Sequence, residues 1–174
     1  TVDANTVLLC HFDSALKNGL DDISGKTWTA YGAGVVATGK FSGGNSLYFD
    51  GTDDYVQTPH SSDLSILGGN FTIRFWIYPV KDGVLQDIIE KWDGTNGWLM
   101  YRNSGGKLLF EYPGSAAINL GTIAANTWHY VTVVKFGSTL YGYINGNLIS
   151  SGAISNTTEA TSPLTLGRRN TNNS

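Results

Sequence analysis

The stretch Phe71-Thr-Ile-Arg-Phe-Trp-Ile-Tyr78 constrains the fold more than any other part of the chain. Side chains of an extended strand point alternately to its two faces, so Phe71, Ile73, Phe75 and Ile77 form one apolar row. Thr72, Arg74, Trp76 and Tyr78 form the other, and their mixed chemistry predicts partial exposure. Residues 128–135 alternate in the same way, with Tyr130, Thr132 and Val134 opposite Val131, Val133 and Lys135. A strand with one apolar row needs a second layer to cover it, and no segment carries a helical period that could supply a helix for the purpose.

Further strands are predicted at 7–12, 27–31, 46–49, 55–57, 87–92, 98–102, 107–112, 140–144, 147–150 and 164–166, where β-branched and aromatic residues cluster between Gly, Asn, Asp and Ser. Asn145-Gly146 is a strong hairpin signal, because a two-residue type I′ turn needs positive φ at both positions. Ser104-Gly105-Gly106 reads as a second hairpin, and Gly43-Gly44 and Gly68-Gly69 as further reversals. No linker-like stretch divides the 174 residues, so residues 1–174 are read as one all-β domain of the sandwich or barrel kind.

The surface of such a domain must be built from Ser, Thr, Asn, Gly and Tyr, since charged residues make up only 14% of the chain. Neutral hydrogen-bonding groups mixed with aromatics suit sugars better than phosphates. A net charge of −3, with Arg168-Arg169 as the one basic doublet, argues against a nucleic-acid partner. No apolar run reaches the length of a membrane span, so membrane insertion is not expected. Cys10 is the single cysteine and has no partner within the chain for a disulfide.

Taken in order, several blocks resemble laminin-G-like domains of the concanavalin A-like lectin/glucanase superfamily. They are Leu8-Leu-Cys-His-Phe-Asp13, Asp22-Ile-Ser-Gly25, Phe41-Ser-Gly-Gly-Asn-Ser-Leu-Tyr-Phe-Asp-Gly-Thr-Asp-Asp-Tyr-Val56, Asn70-Phe-Thr-Ile-Arg-Phe-Trp-Ile-Tyr-Pro79, Asn126-Thr-Trp-His-Tyr-Val131, Leu140-Tyr-Gly-Tyr-Ile-Asn-Gly146 and Pro163-Leu-Thr-Leu-Gly-Arg168. Their wording is similar to versions in phage tail and other virion proteins and in bacterial surface proteins. The resemblance implies a jelly roll of two antiparallel sheets, with members that bind glycans, proteins or calcium, or act as spacers. It also implies a last strand after the Leu-Gly-Arg block, pairing near residues 7–12. Asn170-Thr-Asn-Asn-Ser174 does not supply it, so the domain is expected to lack its closing strand, or to receive it from another chain.

Hydrolysis of a polysaccharide on this sandwich needs two carboxylates across the scissile bond. The Glu-x-Asp-x-Glu arrangement of the glucanases is absent. The nearest approach, Asp87-Ile-Ile-Glu90-Lys-Trp-Asp93, puts neighbouring carboxylates on opposite faces of a regular strand. His11, His60 and His129 lack metal-ligand spacing, and no nucleophile elbow or phosphate loop occurs. No catalytic residue is therefore expected.

Asp50-Gly-Thr-Asp53-Asp54 gathers carboxylates on a tight turn, as calcium requires, and the superfamily resemblance adds weight to calcium as an optional ion. The competing reading is an ordinary turn in which Asp caps its own backbone. Asp13 and Asp22 are further candidates. For a sugar, Trp92, Asp93, Asn96, Trp98, Tyr101 and Arg102 surround the 93–97 loop, with Tyr112 on the next strand; Trp76 and Trp128 are assigned to the core. The function expected is a non-catalytic carbohydrate-binding or adhesion module, on the extracellular surface or virion as part of a larger protein, with a glycan or surface polysaccharide as partner. The alternative is an assembly domain of a fibre, with copies of itself or other virion or surface proteins as partners, and a divergent glycoside hydrolase comes third.

Overall fold

The computed structural model describes residues 4–12, 25–155 and 158–169. Among them, thirteen strands occur: β1 Thr29–Tyr31, β2 Gly34–Val36, β3 Ser46–Tyr48, β4 Tyr55–Thr58, β5 Phe71–Ile77, β6 Gln86–Trp92, β7 Gly97–Arg102, β8 Lys107–Glu111, β9 Ile118–Thr122, β10 His129–Phe136, β11 Thr139–Ile144, β12 Asn147–Ala153 and β13 Leu164–Leu166. A seven-stranded sheet runs β1-β4-β13-β6-β7-β8-β9, a four-stranded sheet runs β12-β11-β10-β5, and β2-β3 make a separate ribbon. All pairings are antiparallel. The expected two-sheet jelly-roll sandwich is what forms.

The alternation at 71–78 places the layers as expected. Phe71 is buried, Ile73, Phe75 and Ile77 pack on the core, and Thr72, Arg74 and Trp76 are exposed. Val131, Val133 and Lys135 point inward from β10, and Lys135 Nζ donates to the carbonyl of Gly69 (2.9 Å) instead of reaching water. From the other sheet Trp98, Met100, Leu108 and Phe110 fill the space between, and the Phe110 ring stacks on Trp98 at 5.7 Å and on Phe71 at 6.2 Å. Gly142 lets the sheets close: a Cβ there would stand 3.0 Å from the Cα of Leu120 on β9. The β11–β12 hairpin turns through Asn145 (φ 53°) and Gly146 (φ 83°), as the type I′ reading required.

Three expectations need correcting. Residues 7–12 do not form a strand; only Cys10 makes an isolated bridge, although Leu8, Cys10 and Phe12 still pack on the core. β2 and β9 were not foreseen, the first only three residues long and the second interrupted by Gly121 at φ 125°. The third concerns β6, whose register shifts between Asp87 and Ile89. Asp87 opposes Tyr101 and Glu90 opposes Leu99, and Tyr101 and Leu99 share a face of β7. One extra residue at Ile88 therefore brings Asp87 and Glu90 to the same face, where a regular strand would have separated them. The expected closing segment 170–174 lies outside the described residues.

Candidate functional site

The 93–97 loop turns out to be held by its own atoms. Asp93 Oδ1 accepts from the backbone N–H of Thr95 (2.9 Å) and Asn96 (2.7 Å), and Asn96 Nδ2 donates to Asp93 Oδ2 (3.3 Å). Those donors, the Asn96 amide first and then that of Thr95, hold the Asp93 carboxyl below its ordinary 3.8. Its contribution to stability is thus present above about pH 4 and is lost as the pH falls through the lowered folded value. Asp93→Ala should be less stable than the parent by about 1 kcal/mol near neutrality. Chemical denaturation at pH 7 and then below 3.8 checks this: the gap between parent and variant must close in acid.

Of the other residues expected to bind a sugar, Trp98, Arg102 and Tyr112 are 2%, 1% and 4% exposed and offer no surface to a ligand. Trp98 and Arg102 share the inward parity of β7, and Tyr112 closes the core beside Ile154. Trp92 and Asn96 are half-buried at the loop. Tyr101 lies on the outward face of the seven-stranded sheet, where Arg169 stands 5.2 Å from its ring and binds Asp87 Oδ1 through Nη2 (3.0 Å). Burial, and next the charge of Glu111, push the Tyr101 phenol up. Burial also raises the Asp87 carboxyl, against the opposing pull of Arg169. Asp87, Glu90 and Glu111 share this face. They do not make a hydrolytic pair, because Glu90 is 1% exposed and Asp87 is neutralised by its arginine.

The carboxylates of Asp50, Asp53 and Asp54 lie within 4.8 Å of one another, so the sequence cluster is a spatial one. Two of their oxygens already serve the turn: Asp50 Oδ1 accepts from Thr52 N–H and Asp54 Oδ2 from Asp50 N–H, both at 2.8 Å. Calcium wants six to eight oxygens, and this cluster offers it only part of that set. Asp13 and Asp22 lie outside the described residues. His129 is structural, its Nε2 3.1 Å from the carbonyl of Ala124.

The open aromatic surface is elsewhere. Trp76, assigned from sequence to the core, is 38% exposed on the outward row of β5, and Trp128 is half-buried beside it. The Trp76 ring lies 5.0 Å from Tyr130, its register partner on β10, and meets Phe41 edge-on at 5.8 Å. Tyr78 and Trp128 pack at 5.4 Å, and Lys40 Nζ stands 5.0 Å over the Trp76 ring. Tyr141 and Tyr143 extend the same face along β11. Lys40, Trp76, Trp128, Tyr130, Asn145 and Gly146 line a shallow groove of about 450 Å³. Asn145 is fixed there, its Oδ1 accepting from Tyr130 N–H (2.9 Å). The outward row at 71–78 was the signal for this surface. It showed Trp76 and Tyr78 together, but not that both stay partly open to solvent.

A family model described as the concanavalin A-like lectin/glucanases superfamily, of laminin-G type, matches residues 50–174. The chain belongs to this superfamily. Among individual relatives, it is 24% identical over 155 residues to the non-toxic nonhemagglutinin type A of Clostridium botulinum, covering 85% of the chain and 13% of that protein. It is 26% identical to the type D protein of Clostridium botulinum D phage, covering 91% of the chain and 14% of that protein. Of solved structures, the receptor binding domain of botulinum neurotoxin D matches with a TM-score of 0.70 at 19% identity, over 95% of this chain and 45% of that one. Botulinum neurotoxin type C, whose way into cells depends on interaction with two ganglioside molecules, matches with a TM-score of 0.66 at 21% identity, over 97% and 45%. The chain thus spans about one-seventh of these curated relatives and under half of the solved chains. The structural likeness establishes the fold.

Proposed function

We propose that this superfamily member is a non-catalytic glycan-recognition domain whose binding surface is the outward face of the four-stranded sheet around Trp76. The observation that carries this reading is the groove in which the Trp76 and Tyr130 rings lie beside the fixed amide of Asn145. A pyranose presents a face of C–H groups that packs on an indole ring, and its hydroxyls seek neutral donors and acceptors at the ring's edge. Among structural neighbours, the binding domain of botulinum neurotoxin DC is known in complex with SialylT, which agrees with a sugar-binding use of related architecture. The recognition proposed uses side chains alone and routes nothing through a metal ion. The domain is read as part of a larger extracellular protein, on a cell surface or a virion.

A glycan array followed by calorimetric titration tests the reading. The parent is expected to bind, and Trp76→Ala to weaken the best ligand roughly thirtyfold, or about 2 kcal/mol, as loss of a central aromatic anchor does. The variant should keep its circular dichroism, because the inward row of β5 is untouched. A folded parent that binds no sugar and self-associates in light scattering would instead favour an assembly domain, with the exposed Leu148 and Ile149 of β12 as its contact.

A further inference from the structure

We infer that the glycan held at this face carries an anionic sugar, a carboxylated residue whose charge is met by Lys40 and Arg74; the inference rests on the glycan reading above. The argument is one of charge distribution. The chain has 14 acidic residues against 11 Lys and Arg and is negative overall. Yet no Asp or Glu occurs anywhere in β5, β10, β11 or β12, nor in the turns at 136–139 and 145–146, nor in residues 38–46 that border the groove. Among the described residues, the charged groups on this outward surface are Lys40 and Arg74, both cations. Lys40 Nζ lies over the Trp76 ring, and Arg74 stands two residues along the same exposed row, opposite Thr132.

Several other cations are engaged elsewhere, Arg168 among them, over the ring of Tyr55 at 4.6 Å. Among the described residues, Lys26, Arg102 and Arg169 are paired with Asp63, Asp82 and Asp87. Lys91 and Lys135 turn inward to backbone carbonyls. Lys40 and Arg74 are in none of these pairs; Lys40 lines the aromatic groove, and Arg74 is exposed on the same row of β5 as Trp76. A carboxylate arriving on this face meets these positive charges, with no acidic neighbour among the described residues of the face to compete for them. Arg74 can grip it with two parallel N–H donors, and Lys40, on a flexible stem beside the Trp76 ring, can swing to meet it as a point charge. A neutral sugar would use the ring and leave both charges idle.

Matched pairs of glycans, each neutral sugar beside its carboxylated counterpart (lactose with sialyllactose, cellobiose with its uronic-acid form), read this out by titration at low and high salt. The carboxylated member is expected to bind about tenfold tighter than its neutral partner at low salt, with the advantage shrinking as salt rises. Lys40→Gln and Arg74→Gln should each reduce that preference, while Lys107→Gln, an equal loss of charge on the other sheet, should not. Equal affinity within every pair, or a preference that survives Lys40→Gln/Arg74→Gln, overturns the inference and leaves the glycan reading standing. No binding to either member of any pair, by a folded parent, overturns both.

Discussion

Replacing Arg102 by alanine is expected to remove about 3–5 kcal/mol of stability, a large part of the whole for a domain of this size. Arg102 is among the largest fully buried side chains, and its guanidinium spends its donors on four residues. Nε donates to the carbonyl of Ile123 just after β9 (3.0 Å), and Nη1 donates to the Lys81 carbonyl (3.0 Å) and to Gln86 Oε1 of β6 (3.1 Å). Nη2 completes the set on Asp82. Truncation leaves the buried Ile123 carbonyl without its donor, beside a cavity the size of the lost side chain. Arg102→Lys keeps the charge but not the fork, and should recover less than half the loss. Asp82→Asn should cost little, since that carboxylate is mostly exposed and its bond to the arginine is screened. Urea denaturation of the three variants decides the matter: an Arg102→Ala midpoint within experimental error of the parent would falsify the structural role.

The second large effect is expected at Phe110, where alanine should cost about 3–5 kcal/mol. Its ring is fully buried and is stacked on Trp98 of β7 and on Phe71 of β5, so it bridges the two sheets. Neither neighbour can follow the lost ring inward without leaving its own strand register. Phe110→Leu refills most of the volume and should cost much less, about 1–1.5 kcal/mol. Two measurements check this: the denaturation midpoint, and the near-ultraviolet dichroism of Trp98, which should fade in the alanine variant even where the far-ultraviolet spectrum of the sheets persists. A Phe110→Ala protein as stable as Phe110→Leu would mean that the core tolerates collapse there.

How much of this could be read from sequence depended on whether a strand's two faces differ. In 71–78 they do, and Phe71, Ile73, Phe75 and Ile77 all lie in or against the core. In Trp98-Leu-Met-Tyr-Arg102 both rows are largely apolar or amphipathic, so nothing in the pattern showed that Trp98 and Arg102 point inward while Tyr101 points out. The site moved for a related reason. Alternation separates two rows but is silent on how far a second layer covers each, and a tryptophan on a mixed row such as that of Trp76 fits the core as readily as the surface. Hairpins with an obligatory positive φ, as at Asn145-Gly146, were legible because the chemistry is local. The bulge at Ile88 was not, since Asp-Ile-Ile-Glu reads the same with or without an unpaired residue.

That bulge makes the length of β6 matter more than its composition. Many aliphatic side chains would serve at Ile88, which does no more than add bulk to the core. Loss of a single residue, however, would restore the regular pleat and turn one of the two flanking carboxylates from the outward face toward the aromatic rings between the sheets. The strand thus tolerates a change in what stands at that position, but not in the count of residues between the two acids.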